Sequence, residues 1–153
     1  MTAPIYTVKT EGAVALVGAT AKTVLTAVAH ANSGLQLLSV KLGFDGVTAS
    51  AVPVLVELCY CTFGTAGTGT SVTPTQTSGR VLAAGFTGLR NYSAEPTTMT
   101  VLEEWLISPN SSTALMDIPL GNEYDTALAQ GFALRITAPA AVNCRATMAV
   151  TRI

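Results

Sequence analysis

Charged residues are scarce in this sequence. Only 11% of its 153 residues are Asp, Glu, Lys or Arg, against about 25% in a typical soluble domain. The mean hydropathy is +0.47 and the formal net charge is -1. A surface with so few charges is poorly protected against association, so we expect copies of this chain or another protein to cover much of it. The eight basic residues are scattered from Lys9 to Arg152, which argues against nucleic-acid binding, because phosphate contacts need clustered Lys and Arg.

Cysteine and histidine are also rare, with three of the first and one of the second. Cys59 and Cys61 lie two apart on a predicted strand, so their side chains point the same way. Their Cα atoms would be about 6.6 Å apart, near the upper limit for a disulfide. Cys144 lies on the apolar face of the last predicted strand. We therefore expect three free thiols, folding in a reducing cytoplasm, and no metal site.

Long hydrophobic runs are missing. The stretch Gly12–Ala31 imitates a secretory signal, but it starts far from the N-terminus and Lys22 splits its apolar run. The uncharged stretch Leu58–Gly79 is mostly Thr and Gly after Phe63, and a membrane span needs about 20 apolar residues. The sequence predicts neither a secretory signal nor a membrane helix.

Catalytic motifs are missing as well. His30 has no Ser or Cys partner that the sequence places beside it, so we expect a structural histidine. The glycines of Gly64–Gly79 lack the Lys-Ser/Thr ending of a phosphate-binding loop. Glu103 and Glu104 are neighbours on a predicted strand and point to opposite faces, so they cannot converge as glycosidase carboxylates. We expect one of them to pair with an arginine near a strand end or an interface. The sequence predicts no catalytic, cofactor-binding or metal-binding residue, and a protein that is not an enzyme.

Aromatic residues make up 6% of the chain. Trp105, Tyr60, Tyr92 and Tyr124 are scattered along it. An aromatic residue in a strand more often lies in a core or an interface than against a sugar, and that is the expectation for these four.

What the sequence does have is alternation, most clearly in the stretch Gly131–Ile153. Apolar residues recur at every second position, which is typical of strands with one buried face. They are Phe132, Leu134, Ile136 and Ala138, then Val142, Cys144, Ala146, Met148 and Val150. A Pro-containing turn separates the two runs, so they predict an antiparallel hairpin whose strands pair within one sheet. Arg135 and Arg145 would face outward.

The rest of the chain predicts short strands punctuated by Gly and Pro. An arm or edge strand is expected over residues 1–12, and a single β-sandwich domain over residues 13–153. The segment Gly64–Gly79 is expected to be a long loop. The further predicted strands are Ala13–Val17, Thr23–Ala29, Leu35–Phe44 (with Leu38, Val40, Leu42 and Phe44 on one face), Val54–Phe63, Arg80–Leu89, Thr97–Ile107 and Leu115–Leu120.

Two stretches leave alternatives open. An Ala-rich helix competes with the strand over Ala19–Ala31, and Gly121–Gln130 is either a helical turn capped by Asn122 or an irregular crossing. The count of about eight strands with no long helix predicts an all-β fold, an antiparallel, jelly-roll-like β-sandwich.

Several phrases of the sequence resemble a group of small all-β proteins encoded among the structural genes of tailed bacteriophages. They are EEWLISP (Glu103–Pro109), IPLGNEY (Ile118–Tyr124), GFALRITAPAAVNCRATMAV (Gly131–Val150), and the FDG turn (Phe44–Gly46) followed by PVLVEL (Pro53–Leu58). The resemblance implies a structural role and carries no catalytic residues. It implies a capsid decoration or cement subunit, or another β-sandwich of the virion surface. Such a subunit is made in the host cytoplasm, forms a homo-oligomer (a trimer is favoured) and has the major capsid protein as its partner. The alternatives are a tail-tip or fibre module that binds a host glycan and a secreted carbohydrate-binding domain. Fold alone does not separate these roles.

Overall fold

The alternation along the chain produces strands throughout the described part of the structure. The computed structural model describes residues 3–46, 52–62, 67–110 and 113–153. Within these ranges there is no helix, and therefore none long and apolar enough to cross a membrane. The strands there are β1 (Ile5–Lys9), β2 (Val14–Leu16), β3 (Ala21–Ala29), β4 (Leu35–Asp45), β5 (Val54–Thr62), β6 (Thr68–Val72), β7 (Thr75–Ser78), β8 (Phe86–Ala94), β9 (Met99–Ile107), β10 (Ala114–Asp117), β11 (Tyr124–Asp125), β12 (Gln130–Thr137) and β13 (Val142–Arg152).

These strands form two antiparallel sheets. Sheet A has the order β10-β4-β13-β1-β7, with β11 also on β4 and β2 also on β13. Sheet B has the order β6-β8-β3-β12-β5-β9. The pairs β1 with β13, β3 with β12, β4 with β10 and β5 with β9 are nested, as in one long hairpin wound around a core. This winding is the jelly roll, so the predicted jelly-roll-like sandwich is confirmed.

The strand count is higher than predicted because short strands extend the eight that form the roll. β2 and β11 have three and two residues. The strands β6, β7 and β8 are inserted between β5 and β9, and they extend sheet A beside β1 and sheet B beside β3. The insertion lengthens one side of the sandwich and leaves β9 and β10 as the outermost strands on the other side.

The core lies between the two sheets and is built as the alternation predicts. All nine apolar residues predicted from Gly131–Ile153 are buried. Phe132, Leu134 and Ile136 enter the core from sheet B, while Met148 and Val150 enter it from sheet A. Because β12 and β13 lie in different sheets, the predicted hairpin pairing between them is wrong. Two strands that face one core from opposite sheets show the same alternation of apolar and polar residues as two neighbouring strands in one sheet.

The N-terminal strand is neither an arm nor an edge. β1 has β13 on one side and β7 on the other. Tyr6 and Val8 are buried in the core, and the Tyr6 hydroxyl donates to the Leu82 carbonyl oxygen at 2.9 Å. The expectation for residues 1–12 is corrected accordingly, since β1 is part of the sandwich; Met1 and Thr2 lie outside the described residues.

The segment expected as a long loop, Gly64–Gly79, is largely strand where it is described. β6 pairs with β8 and β7 pairs with β1. Thr and Val favour strands. A strand at the edge of a sheet can form with few apolar residues because it has a neighbouring strand on one side only. Residues 64–66 lie outside the described part of the chain.

Smaller corrections follow from bulges and irregular segments. The register of β4 against β13 shifts between Ala149 and Val150, so Leu37 and Val40 are buried while Leu38 is only half-buried. β8 begins at Phe86 rather than near residue 80 and runs to Ala94. The Ala19–Ala31 helix and the helical turn at Gly121–Gln130 are both absent; β3 and an irregular crossing with β11 occupy those stretches. The predicted strand end at Phe63 lies outside the described residues.

Candidate functional site

The single histidine is exposed and binds a neighbouring strand. His30 follows β3, and its Nε2 lies 3.2 Å from the Thr87 Oγ1 on β8. Among the described residues, no group of three or more His, Cys, Asp or Glu is arranged to hold a metal ion.

The three cysteines are free, as predicted, and all three are buried. Cys59 and Cys61 point to the outer face of sheet B, where they pack with Val28 and Ala133. Cys144 points into the core between the sheets. Burial raises the pKa of Cys59 to about 11 and those of Cys61 and Cys144 to about 12. All three thiols therefore stay protonated at neutral pH and are poor nucleophiles.

The outer face of sheet B carries a polar network that the sequence pattern did not predict. The Thr23 amide donates to the Glu95 carboxylate at 2.9 Å, and the Thr26 and Tyr92 hydroxyls lie 2.7 Å apart. Burial raises the pKa of Tyr92 to about 12. Tyr92 lies in β8 and Glu95 directly follows it, and the pairing of β8 with β3 brings both to the two threonines.

The two adjacent glutamates point to opposite faces of β9, as predicted. Glu104 lies beside Glu57 on the outer face of sheet B. Glu103 lies beside Leu58, and its carboxylate accepts a hydrogen bond from the Tyr124 hydroxyl of sheet A. The expected arginine partner is wrong: the described ion pairs include neither glutamate, and the half-buried arginine of sheet B pairs with Glu57 instead.

Three of the four aromatic residues singled out from the sequence gather on one side of the sandwich. Tyr60 packs against Phe132 with 5.6 Å between ring centroids, and its hydroxyl donates to the Asp125 carbonyl oxygen at 2.9 Å. The hydrogen bond from Tyr124 to Glu103 raises the pKa of Tyr124. Trp105 lies on the same strand as Glu103, partly buried against the core. These side chains therefore serve core and edge contacts.

This side of the sandwich, formed by β9 and β10, is open and apolar; we call it the β9–β10 side. A cavity of about 370 Å³ lies between the two strands. Val101 and Leu106 of β9 and Leu115 of β10 are 41%, 67% and 54% exposed. The lining residues are Val40, Leu42, Trp105, Ile107, Ala114, Leu115 and Met116.

A second surface feature lies on the outer face of sheet A; we call it the basic face. Lys9, Thr147 and Lys41 stand in one row across β1, β13 and β4. Arg145 lies two residues along β13, and its Nε is 3.7 Å from the Asp45 carboxylate. These residues border a cleft of about 820 Å³, which Glu11 and Asp45 also line. Glu11 lies 4.0 Å from the Arg90 Nε, so both acidic residues have an arginine partner. The lysines are exposed, and neither is in an ion pair among the described residues.

The third feature is a group of exposed apolar residues at one end of the sandwich. Val81, Leu82, Leu128 and Ile153 are 89%, 38%, 64% and 53% exposed; we call them the apolar end. The segments that carry them all contact residues 30–34. The His30 backbone amide donates to the Gly85 carbonyl oxygen, and the Ala129 amide donates to the Ser33 carbonyl oxygen. Gly34 and Ile153 exchange two backbone hydrogen bonds.

Comparison of this chain with models of known protein families, with curated proteins and with solved structures found no match. In the described part of the chain, the β9–β10 side, the basic face and the apolar end are surfaces with chemistry to bind a partner. Two have exposed apolar residues and the third has two exposed lysines outside the described ion pairs, so contacts with another protein surface suit all three.

Proposed function

We propose that this chain is a non-enzymatic structural protein of a virion, which decorates or stabilises the capsid of a tailed phage as a surface subunit. Its partners are the major capsid protein and further copies of itself, with a trimer favoured. The observation that carries the proposal is the apolar end, where four large hydrophobic side chains are exposed on adjoining loops. The sequence phrases that resemble tailed-phage structural proteins support the same role.

The apolar end suits attachment to a broad protein surface. Single exposed hydrophobic residues are common, but a cluster of them marks an interaction site. Burial of apolar area stabilises a contact by about 25 cal/mol per Å². Exposed charges are screened over about 8 to 10 Å at ordinary ionic strength, and the chain has few of them. Attachment through the apolar end should therefore persist as salt is raised.

The direct test is binding to preformed shells that lack this protein. Purified protein is added to such shells across a salt series, and the bound fraction is measured by co-sedimentation. We expect binding that changes little between low and high salt. The proposal is wrong if nothing binds, or if modest salt lowers the affinity by orders of magnitude.

A matched pair of variants locates the contact. Val81→Ser with Leu128→Ser removes apolar area from the apolar end, and Val17→Ser changes a valine that is 67% exposed at the opposite end. We expect the first variant to bind shells at least about tenfold more weakly, since about 1.4 kcal/mol of lost burial suffices for that change. Val17→Ser should bind like the unchanged protein. Equal losses in both variants would place the contact elsewhere.

A tail-tip or fibre module that recognises a host glycan is the second candidate. The hydrogen bond between Tyr124 and the Glu103 carboxylate, with Tyr60 and Trp105 on the same side of the sandwich, favours it, because aromatic rings and carboxylates are used to bind sugars. Binding to host-surface glycan on an array, with no binding to shells, would decide for this candidate. Loss of that glycan binding in Trp105→Ala would confirm the location.

A further inference from the structure

Positive and negative charges are segregated along this chain. No Lys or Arg occurs between Arg90 and Arg135. That stretch contains six carboxylates: Glu95, Glu103, Glu104, Asp117, Glu123 and Asp125. The remainder of the chain has all eight basic residues and only three acidic ones, a net charge of +5. Although the net charge is only -1, the acidic and basic residues are therefore strongly separated along the chain.

The fold places this segregation on two neighbouring surfaces. The acidic stretch supplies β9, β10 and β11, which lie on the β9–β10 side. Glu103, Glu104 and Asp117 are exposed there, beside the exposed Leu106 and Leu115. The basic face presents Lys9, Lys41 and Arg145 on β1, β4 and β13. Surfaces of opposite charge attract and orient each other during association.

The edge strands on the two sides of the sandwich also differ in length and composition. On the β6–β7 side, the outermost strands have five and four residues and are mostly Thr, Ser and Gly. On the β9–β10 side, the nine residues of β9 pair only with β5, and β10 pairs only with β4. A long, apolar, unpaired edge strand is a site for association with another chain. Short polar edges are protected against it.

We propose that the β9–β10 side of one copy docks on the basic face of a second copy of this chain, head to tail. The acidic charges would lie against the basic ones, and the apolar groove would be covered. Two β9–β10 sides facing each other would instead oppose like charges, which costs several kcal/mol. This contact deepens the proposed function and rests on it for the setting in which surface subunits meet.

The geometry favours a closed ring over a straight filament. Head-to-tail contacts form rings when each added copy turns by the same closing angle. The β9–β10 side and the basic face adjoin, because β10 belongs to the first and pairs with β4 of the second, Leu115 lying opposite Lys41. Because the two surfaces adjoin on one subunit, each added copy is rotated relative to the copy before it. A small ring, such as the favoured trimer, satisfies both contacts of every copy.

Charge reversal on each surface tests the contact. Lys41→Glu alters the basic face and Glu104→Lys alters the β9–β10 side; both residues are exposed. We expect either change alone to weaken self-association at least about tenfold in sedimentation equilibrium at low salt. In an equimolar mixture self-association should recover between unlike variants, because position 104 of each variant then meets a residue of opposite charge at position 41 of the other. The variant with both changes should regain the rings. The control is Arg80→Glu, which reverses an exposed charge that lies on neither surface.

The outcomes separate this inference from the proposed function. The head-to-tail contact is wrong if the single reversals leave self-association unaffected, or if the mixture of variants shows no recovery. It is also wrong if the unchanged protein is a monomer at high micromolar concentration. If the variants lose self-association yet still bind shells, the contact is right and attachment is independent of it. If the chain associates as described but binds no shells, the contact stands and the capsid role falls. Circular dichroism of each variant confirms that the sandwich is folded.

Discussion

Arg135 on β12 and Glu57 on β5 lie opposite each other and form a two-pronged ion pair on the outer face of sheet B. The Arg135 Nε is 2.7 Å from one carboxylate oxygen of Glu57, and the Nη2 is 2.8 Å from the other. The side chains are only 26% and 11% exposed. The hydrogen bonds to Glu57 raise the pKa of Arg135. The pair therefore fixes the two central strands against each other where little water reaches.

Removing the charge on Glu57 should destabilise the fold. We expect Glu57→Gln to lower the free energy of unfolding by about 1 to 3 kcal/mol, because a hydrogen-bonded charge is left without its partner. Urea denaturation measures this. The control is Asp45→Asn, which breaks an ion pair 3.7 Å long between side chains that are more than half exposed; we expect at most about 0.5 kcal/mol. Equal losses in the two variants would contradict the assigned role.

The three thiols should be inert in the folded protein and free in the unfolded one. A thiol reagent at pH 8 should label almost none in native protein and three per chain in unfolded, non-reduced protein, because all three are buried and unbridged. One labelled thiol per unfolded chain would mean a disulfide. Rapid labelling of native protein would mean that the cysteines are exposed.

Stability should fall at alkaline pH for the same reason. The folded-state pKa values of Cys61 and Cys144 are raised to about 12 from an ordinary 9.0. The unfolded chain therefore loses these protons more readily, so the contribution is complete below pH 9 and is lost progressively from pH 9 to about 12. Urea unfolding at pH 8, 9.5 and 10.5 should show a steady decline. In a Cys61→Ala, Cys144→Ala variant the decline should be shallower; an unchanged slope would contradict this cause.

The N-terminal strand should be essential to folding. Tyr6 is buried, and its ring packs edge-on against Phe86 at 5.6 Å. We expect Tyr6→Ala to cost about 3 to 5 kcal/mol, the range for removing a buried aromatic side chain, and deletion of residues 1–10 to prevent folding. Thr7→Ala, on the opposite face of the same strand, should cost less than about 1 kcal/mol. A truncated chain that keeps its circular dichroism and melting behaviour would show that β1 is dispensable.

A glycine in β12 should tolerate no side chain. A Cβ at Gly131 would lie 2.0 Å from the Ala27 carbonyl oxygen of β3, so Gly131→Ala must push two paired strands apart. We expect a loss of several kcal/mol or failure to fold. The control is Gly12→Ala, where no atom lies within 4 Å of the added carbon. Thermal melts of the two variants make the comparison; similar midpoints would contradict the close approach of β12 to β3.

The sequence predicts the strands well because alternation is a local property. β3, β4, β5, β9, β12 and β13 all overlap predicted strands. The sheet to which a strand belongs is not local, which is why β12 and β13 are wrongly paired by the sequence pattern. The strands β6 and β7 bury little apolar surface, so composition alone makes them look like loop. A bulge in β4 exchanges Leu37 for Leu38 on the core face, and periodicity carries no sign of it.

The candidate surfaces were visible in the sequence only in part. The lack of basic residues between Arg90 and Arg135 is plain in the sequence, but only the topology makes it one side of the molecule. Likewise Tyr60 and Tyr124 are 64 positions apart. They lie on one side of the sandwich because Tyr60 of sheet B donates to the Asp125 carbonyl oxygen, next to Tyr124 in β11 of sheet A. Val81 and Leu128 join one apolar end through loops whose contacts no pattern specifies.

The most direct test of the capsid role is to image shells with and without this protein by electron cryomicroscopy. We predict added density on the outer surface of the shell, shaped as a two-sheet jelly roll, with the loops of Val81 and Leu128 facing the capsid protein. Shells that gain no density, or density confined to a tail, would contradict the account.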